Sequence, residues 1–115
     1  MHELSIAMRI LDLLEEEAPR LDGRKISAVH LKLGQFSGVV KEALLNSYEL
    51  ASEQTSFQGT RLVIEEVPIA MQCPQCGERR LVKSPQLLCC QQCGTPASDI
   101  LEGKEIQVFA LELCA

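Results

Sequence analysis

The sequence predicts an α+β fold: a small sheet of about three strands packed with two helices, carrying an inserted four-cysteine lobe. Three observations predict it. Apolar residues recur at helical spacing near the amino terminus and again beyond residue 42, while three other stretches alternate or cluster as strands do. Between the last two strands stand Cys73-Pro74-Gln75-Cys76-Gly77 and Cys90-Gln91-Gln92-Cys93-Gly94, two C-x-x-C-G blocks in a segment poor in bulky apolar residues.

Leu4, Ala7, Met8, Leu11, Leu14 and Ala18 follow a helical period until Pro19 stops it, so a helix is expected from about residue 3. From Lys25 to Leu33 the pattern changes to period two: Val29, Leu31 and Leu33 share one face, with His30 and Lys32 on the other. Gly34 to Gly38 reads as a loop, and Ala43, Leu44, Leu45, Tyr48 and Ala51 mark a second helix ending before the polar run Ser52 to Gly59. Leu62, Val63, Ile64 and Val67 make the next strand, and Ile106, Val108 and Ala110, against Phe109, Leu111 and Leu113, make the last. The simplest arrangement divides the chain into a domain of residues 1–70 plus 104–115 and an inserted domain of residues 71–103. In it the final strand pairs back into the sheet begun by the first seventy residues.

Composition narrows the function classes. Of 115 residues, 11 are basic and 16 acidic, a net charge of −5 that opposes general attraction to phosphate backbones. One Tyr, three Phe and no Trp leave little for base stacking. The start Met-His-Glu-Leu has no signal-peptide pattern, and no apolar run is long enough to span a bilayer, so a soluble, cytoplasmic protein without membrane attachment is expected. There is no phosphate-binding glycine loop and no nucleophile elbow, which argues against an autonomous enzyme.

The paired knuckles carry the most specific chemistry. Cys73, Cys76, Cys90 and Cys93 supply the four soft ligands of a closed tetrahedral Zn(II) site, each knuckle ending in a glycine suited to positive φ. Cys89, beside Cys90, is an alternative ligand or a spare thiol; Cys114 reads as a small hydrophobe. A redox dithiol is the rival reading of the cysteines. A zinc-ribbon adaptor, binding nucleic acid through Arg79, Arg80 and Lys83 or binding a protein partner, is the rival reading of the whole chain. A four-thiolate zinc is saturated, so any second metal must be held elsewhere. His2 offers such a place: its imidazole, its amide nitrogen and the α-amino group of Met1 suit a square-planar ion, Ni(II) or Cu(II), with Glu3 adding an amide and a carboxylate. His30 reads as a sheet-face histidine, and Glu15 to Glu17 as a solvated helical face.

The Met1-His2-Glu3 start, the amphipathic helix, the turn Leu33-Gly34-Gln35-Phe36-Ser37-Gly38, the strand Leu62 to Val67 and the two knuckles together resemble the HypA/HybF family of nickel metallochaperones, over essentially the whole chain. The resemblance implies a cytoplasmic accessory protein that helps insert nickel into the large subunit of NiFe hydrogenase during maturation. It also implies a partner GTPase of the same pathway and, in some organisms, service to urease. It makes His2 the essential nickel ligand with Glu3 beside it, and Cys73, Cys76, Cys90 and Cys93 the structural zinc ligands. In some members a carboxylate in the loop after the Ser-Gly turn approaches the nickel. Here that stretch is Val39-Val40-Lys41-Glu42, apolar where the acid is expected, with Glu42 the acid it does contain.

Overall fold

The structure is a computed structural model that describes residues 3–115. Helix α1 runs Glu3–Glu17 and passes into a short 3₁₀ turn, Ala18–Leu21, with Pro19 at its start. Strand β1 (Ile26–Gly34), helix α2 (Lys41–Ser52) and strand β2 (Arg61–Val67) follow. Three short strands, β3 (Ala70–Gln72), β4 (Arg79–Leu81) and β5 (Asp99–Glu102), precede the last strand, β6 (Ile106–Leu113). The chain makes two compact units. One comprises Met1–Leu31 (described from Glu3), Val39–Glu65 and Gln107–Ala115; the other comprises Lys32–Gly38 and Glu66–Ile106.

In the first unit, Ile6, Ala7, Ile10, Leu11 and Leu14 form the buried stripe of α1. The helix is the expected one, but the stripe is turned. Ile6 and Ile10 face inward, whereas Leu4 and Met8 are exposed. Spacings of three and four allow either set, and only packing against α2 selects between them. Leu44, Tyr48 and Ser52 are the buried residues of α2, each one turn from the next. On β1, Val29 and Leu31 are buried as the alternation predicts, and Ala28 on the opposite parity is buried as well. Each large aliphatic side chain so enclosed contributes about 1.5–3 kcal/mol. The sheet order is β2-β1-β6, so the last strand does return beside the first, with the cysteine segment inserted between β2 and β6.

The second unit contains a sheet that sequence periodicity does not reveal, β4-β3-β5, antiparallel throughout, with Met71 opposite Arg80 on one side and Ile100 on the other. Strands of three or four residues are too short to show a period. Its core is Ile69, Met71, Val82, Cys73 and Cys90, flanked by Cys76, Leu88, Ala97 and Ile100. Three of these nine side chains belong to the knuckles, so packing and metal site are one structure. The loop after β1 closes onto the same unit: Gly34, Gln35 and Phe36 donate to the carbonyls of Glu105, Val67 and Gly103 at 2.7, 3.0 and 2.7 Å.

Candidate metal centre

Each knuckle is built by the same backbone bonds. After Cys73 the chain turns back so that the Gly77 amide donates to the Cys73 carbonyl at 2.8 Å, and after Cys90 the Gly94 amide donates to the Cys90 carbonyl at 2.8 Å. Both glycines are left-handed, φ +71° and +77°, a conformation that a side chain would strain. The turns also aim amides at sulfur. Cys76 N–H meets Cys73 Sγ at 3.3 Å and Gln92 N–H meets Cys90 Sγ at 3.4 Å, so each knuckle turns a backbone donor toward its own first sulfur.

The sulfurs of Cys73, Cys76, Cys90 and Cys93 lie within 4.8 Å of one another. Three of their separations are 3.6 Å (Cys73–Cys93), 3.7 Å (Cys76–Cys93) and 3.9 Å (Cys76–Cys90). A tetrahedral ion with metal–sulfur bonds of about 2.3 Å requires edges of about 3.8 Å. The four residues therefore fit such an ion as they stand. Cys73 and Cys90 are buried, Cys76 is half-buried and Cys93 is exposed, so the cage has one wet corner.

Proton sharing among the metal-free thiols follows from this geometry. Hydrogen bonds with Cys93 and then Cys73 hold the proton on Cys76 and push it up to about 12. Cys93 is brought down to about 6, first by the Thr95 hydroxyl, whose oxygen lies 3.1 Å from the sulfur, and then by the Thr95 amide. Cys90 is lowered by backbone amides, that of Cys93 first, against the opposing effect of burial. Arg80 stands behind the cage, its guanidinium kept charged chiefly by the Cys76 sulfur, and also bound to Glu78 at 2.8 Å. A positive charge there offsets part of the net −2 that four thiolates leave around a divalent ion. Sequence reading missed Arg80 and Thr95 in this role. The position of Thr95, two residues after Cys93, was the available signal for one; nothing marked Arg80 out from Arg79.

The other singled-out residues separate clearly. Cys89 is not among the converging sulfurs; its amide donates to Leu87 at 2.9 Å. Cys114 is exposed, and its amide donates to Lys25 at 2.7 Å. His30 Nε2 lies 3.2 Å from Glu112 Oε1 and its ring packs edge-on against Phe109, a satisfied sheet-face histidine as expected. Arg79 pairs with Glu102, so two of the three cations of the supposed basic patch are engaged by carboxylates. His2 lies outside the described residues. Glu3 opens α1, and its carboxylate accepts a hydrogen bond from the Val40 amide at 3.1 Å. Glu42 sits in the first turn of α2. Among the described residues no helix is long and apolar enough to cross a membrane.

Residues 1–113 match the family described as "Hydrogenase/urease nickel incorporation, metallochaperone, hypA". The chain is 41% identical over 112 residues to the hydrogenase maturation factor HypA of Chloroflexus aurantiacus, covering 97% of this chain and 98% of that protein. It is 40% identical over 112 residues to the same-named protein of Chloroflexus aggregans, with the same coverage. In structure it is similar to the nickel metallochaperone HypA from Helicobacter pylori, with a TM-score of 0.66 at 24% identity, covering 100% of this chain and 99% of that one. That likeness bears on the fold.

Proposed function

This chain belongs to the HypA family of hydrogenase and urease nickel-incorporation metallochaperones, maturation factors and not enzymes, and from that premise we propose that it binds Ni(II) at its amino terminus for insertion into the large subunit of NiFe hydrogenase. The observation that carries this reading is that the family match begins at residue 1 and so includes Met1-His2-Glu3, the stretch whose donors suit nickel. The α-amino group, the His2 imidazole and the amides of His2 and Glu3 are nitrogen donors in sequence, a set that favours a square-planar ion over Zn(II). Binding must expel the α-amino proton, whose ordinary pKa is about 7.7–8.0, and the proton of each amide nitrogen that coordinates, so nickel affinity rises with pH. A nickel-handling GTPase is the proposed partner, urease an alternative recipient, and the cytoplasm the proposed compartment.

We assign Zn(II) to Cys73, Cys76, Cys90 and Cys93. Four thiolates at tetrahedral spacing suit it, and a saturated cage leaves no position for substrate. On this reading residues 1–70 with 104–115 form the nickel domain and residues 71–103 the zinc domain. The nucleic-acid adaptor reading is disfavoured by the net charge and by the carboxylates on Arg79 and Arg80.

The test uses zinc-loaded protein beginning at native Met1. One equivalent of Ni(II) is expected to bind, and His2→Ala, or one residue added before Met1, is expected to abolish that binding while leaving zinc at one per chain. Nickel affinity undiminished in both variants would sink the proposal.

A further inference from the structure

Helix α2 begins without the side chains that helices use to close their first amides. Its N-cap is Val40, extended at φ −87° and ψ 120°, with no side-chain capping bond. Three residues on, where a Glu or Gln would reach back to the N-cap amide, stands Ala43. That task falls to a residue 37 positions earlier, since the Val40 amide donates to Glu3 Oε2 at 3.1 Å. Glu3 is itself the first residue of α1, so one side chain joins the beginnings of both helices. A carboxylate at the amino-terminal end of α2 also has the favourable sign toward that helix's dipole.

We propose that Glu3 is a positioning residue for nickel and not a side-chain donor. Its carboxylate clasps the α2 N-cap amide and holds the terminal segment where its nitrogen atoms can meet the ion. This rests on the nickel reading above. The loop enters the site through its backbone, because the side chain of Val40 has no donor atom. The energetic argument is one of populations. A chain terminus has few restraints, and its apparent affinity falls by the fraction of time it is competent to bind. A clasp comparable to an ordinary helix cap raises that fraction by about five- to tenfold. Linkage requires the reverse effect as well: nickel must tighten the clasp.

The experiment measures three quantities on zinc-loaded protein with native Met1: Ni(II) affinity by chelator competition, the Ni(II) ligand-field spectrum, and amide hydrogen exchange at Val40 and at Leu44, whose amide donates to the Val40 carbonyl at 2.9 Å. In Glu3→Ala, nickel affinity is expected to fall about five- to tenfold, Val40 exchange to accelerate even without nickel, and the ligand-field band to keep its wild-type energy. Glu3→Gln, whose amide oxygen still accepts the bond, is expected to restore slow exchange and most of the affinity. A shifted band in either variant makes the carboxylate a ligand and overturns the proposal. So does Val40 exchange that Glu3→Ala leaves unchanged in nickel-free protein. Failure of the nickel reading itself is seen separately, as affinity indifferent to His2→Ala.

Discussion

Two adjacent cysteines give the sharpest test of the cage, because the structure separates them completely. Cys90 Sγ stands 3.9 Å from Cys76 Sγ as one edge of the tetrahedron, and the residue is only 3% exposed. Cys89 sits next to it with its sulfur outside the cluster. Zinc binding by a structural site contributes about 10–16 kcal/mol, so one thiolate of four accounts for roughly 2.5–4 kcal/mol, or about two to three powers of ten in affinity. Cys90→Ser, which nearly preserves volume, is therefore expected to weaken zinc by about a hundred- to a thousandfold. It should also loosen the second unit, since Cys90 belongs to the core of Met71 and Val82. Cys89→Ser is expected to change zinc affinity by less than about threefold. Competition against a chromophoric chelator measures both, with amide exchange of residues 69–73 reporting the fold. Equal losses in the two variants, or a larger loss from Cys89→Ser, would refute the geometric assignment.

Gly34→Ala is expected to disrupt the base of the second unit, because a Cβ there would stand 2.0 Å from the Gly103 carbonyl oxygen and 2.2 Å from its carbon. Relief requires parting the backbones and orphaning two hydrogen bonds of 2.7 Å, from Gly34 to Glu105 and from Phe36 to Gly103. Urea unfolding should show a loss of about 3–5 kcal/mol. Zinc uptake near pH 7.5 is expected to release fewer than four protons: Cys93, at about 6, is already a thiolate, whereas Cys76, at about 12, must surrender its proton to the metal. Calorimetry in buffers of different ionisation enthalpy counts them. As pH falls through the range of Cys93, protons compete for the cage and zinc affinity must drop. Tyr48→Phe is expected to leave stability unchanged or raise it by about 1 kcal/mol, since the buried Tyr48 hydroxyl has no hydrogen-bond partner among the described residues; a loss above that size would show that the hydroxyl is satisfied in solution.

The parts of the fold legible in sequence are those with enough residues to display a period. Fifteen residues of α1 and nine of β1 span several repeats, and Pro19 punctuates the first of them. The return of the last strand to the first sheet was legible as the simplest arrangement of an inserted lobe, and its place beside β1 came from the structure. What escaped reading was set by tertiary packing: the rotation of α1 that buries Ile6 and Ile10, and the three short strands beneath the knuckles. The same division holds at the metal centre. Cysteine spacing and the glycine after each knuckle are local signals, fixed by the turn itself. Arg80, four residues past Cys76 on β4, sits at a spacing that no metal motif marks, and the Glu3–Val40 bond closes 37 residues and leaves no trace in nearby sequence.

That contrast gives the two proposed sites different physical characters. The cage is bound into a core, two of its four residues are buried, and each knuckle donates amides to its own sulfurs. Losing its ion means losing packing, which suits retention. The proposed nickel donors belong to the amino-terminal stretch that leads into α1, where the Glu3 carboxylate accepts from the Val40 amide. The Glu3–Val40 bond is also weak enough, at about 1 kcal/mol, for a docking partner to compete with it. Delivery needs an affinity that a partner can lower, and on the proposed reading the clasp is where such a partner would act: drawing the Glu3 carboxylate from the Val40 amide would lower nickel affinity by the same five- to tenfold that the clasp provides.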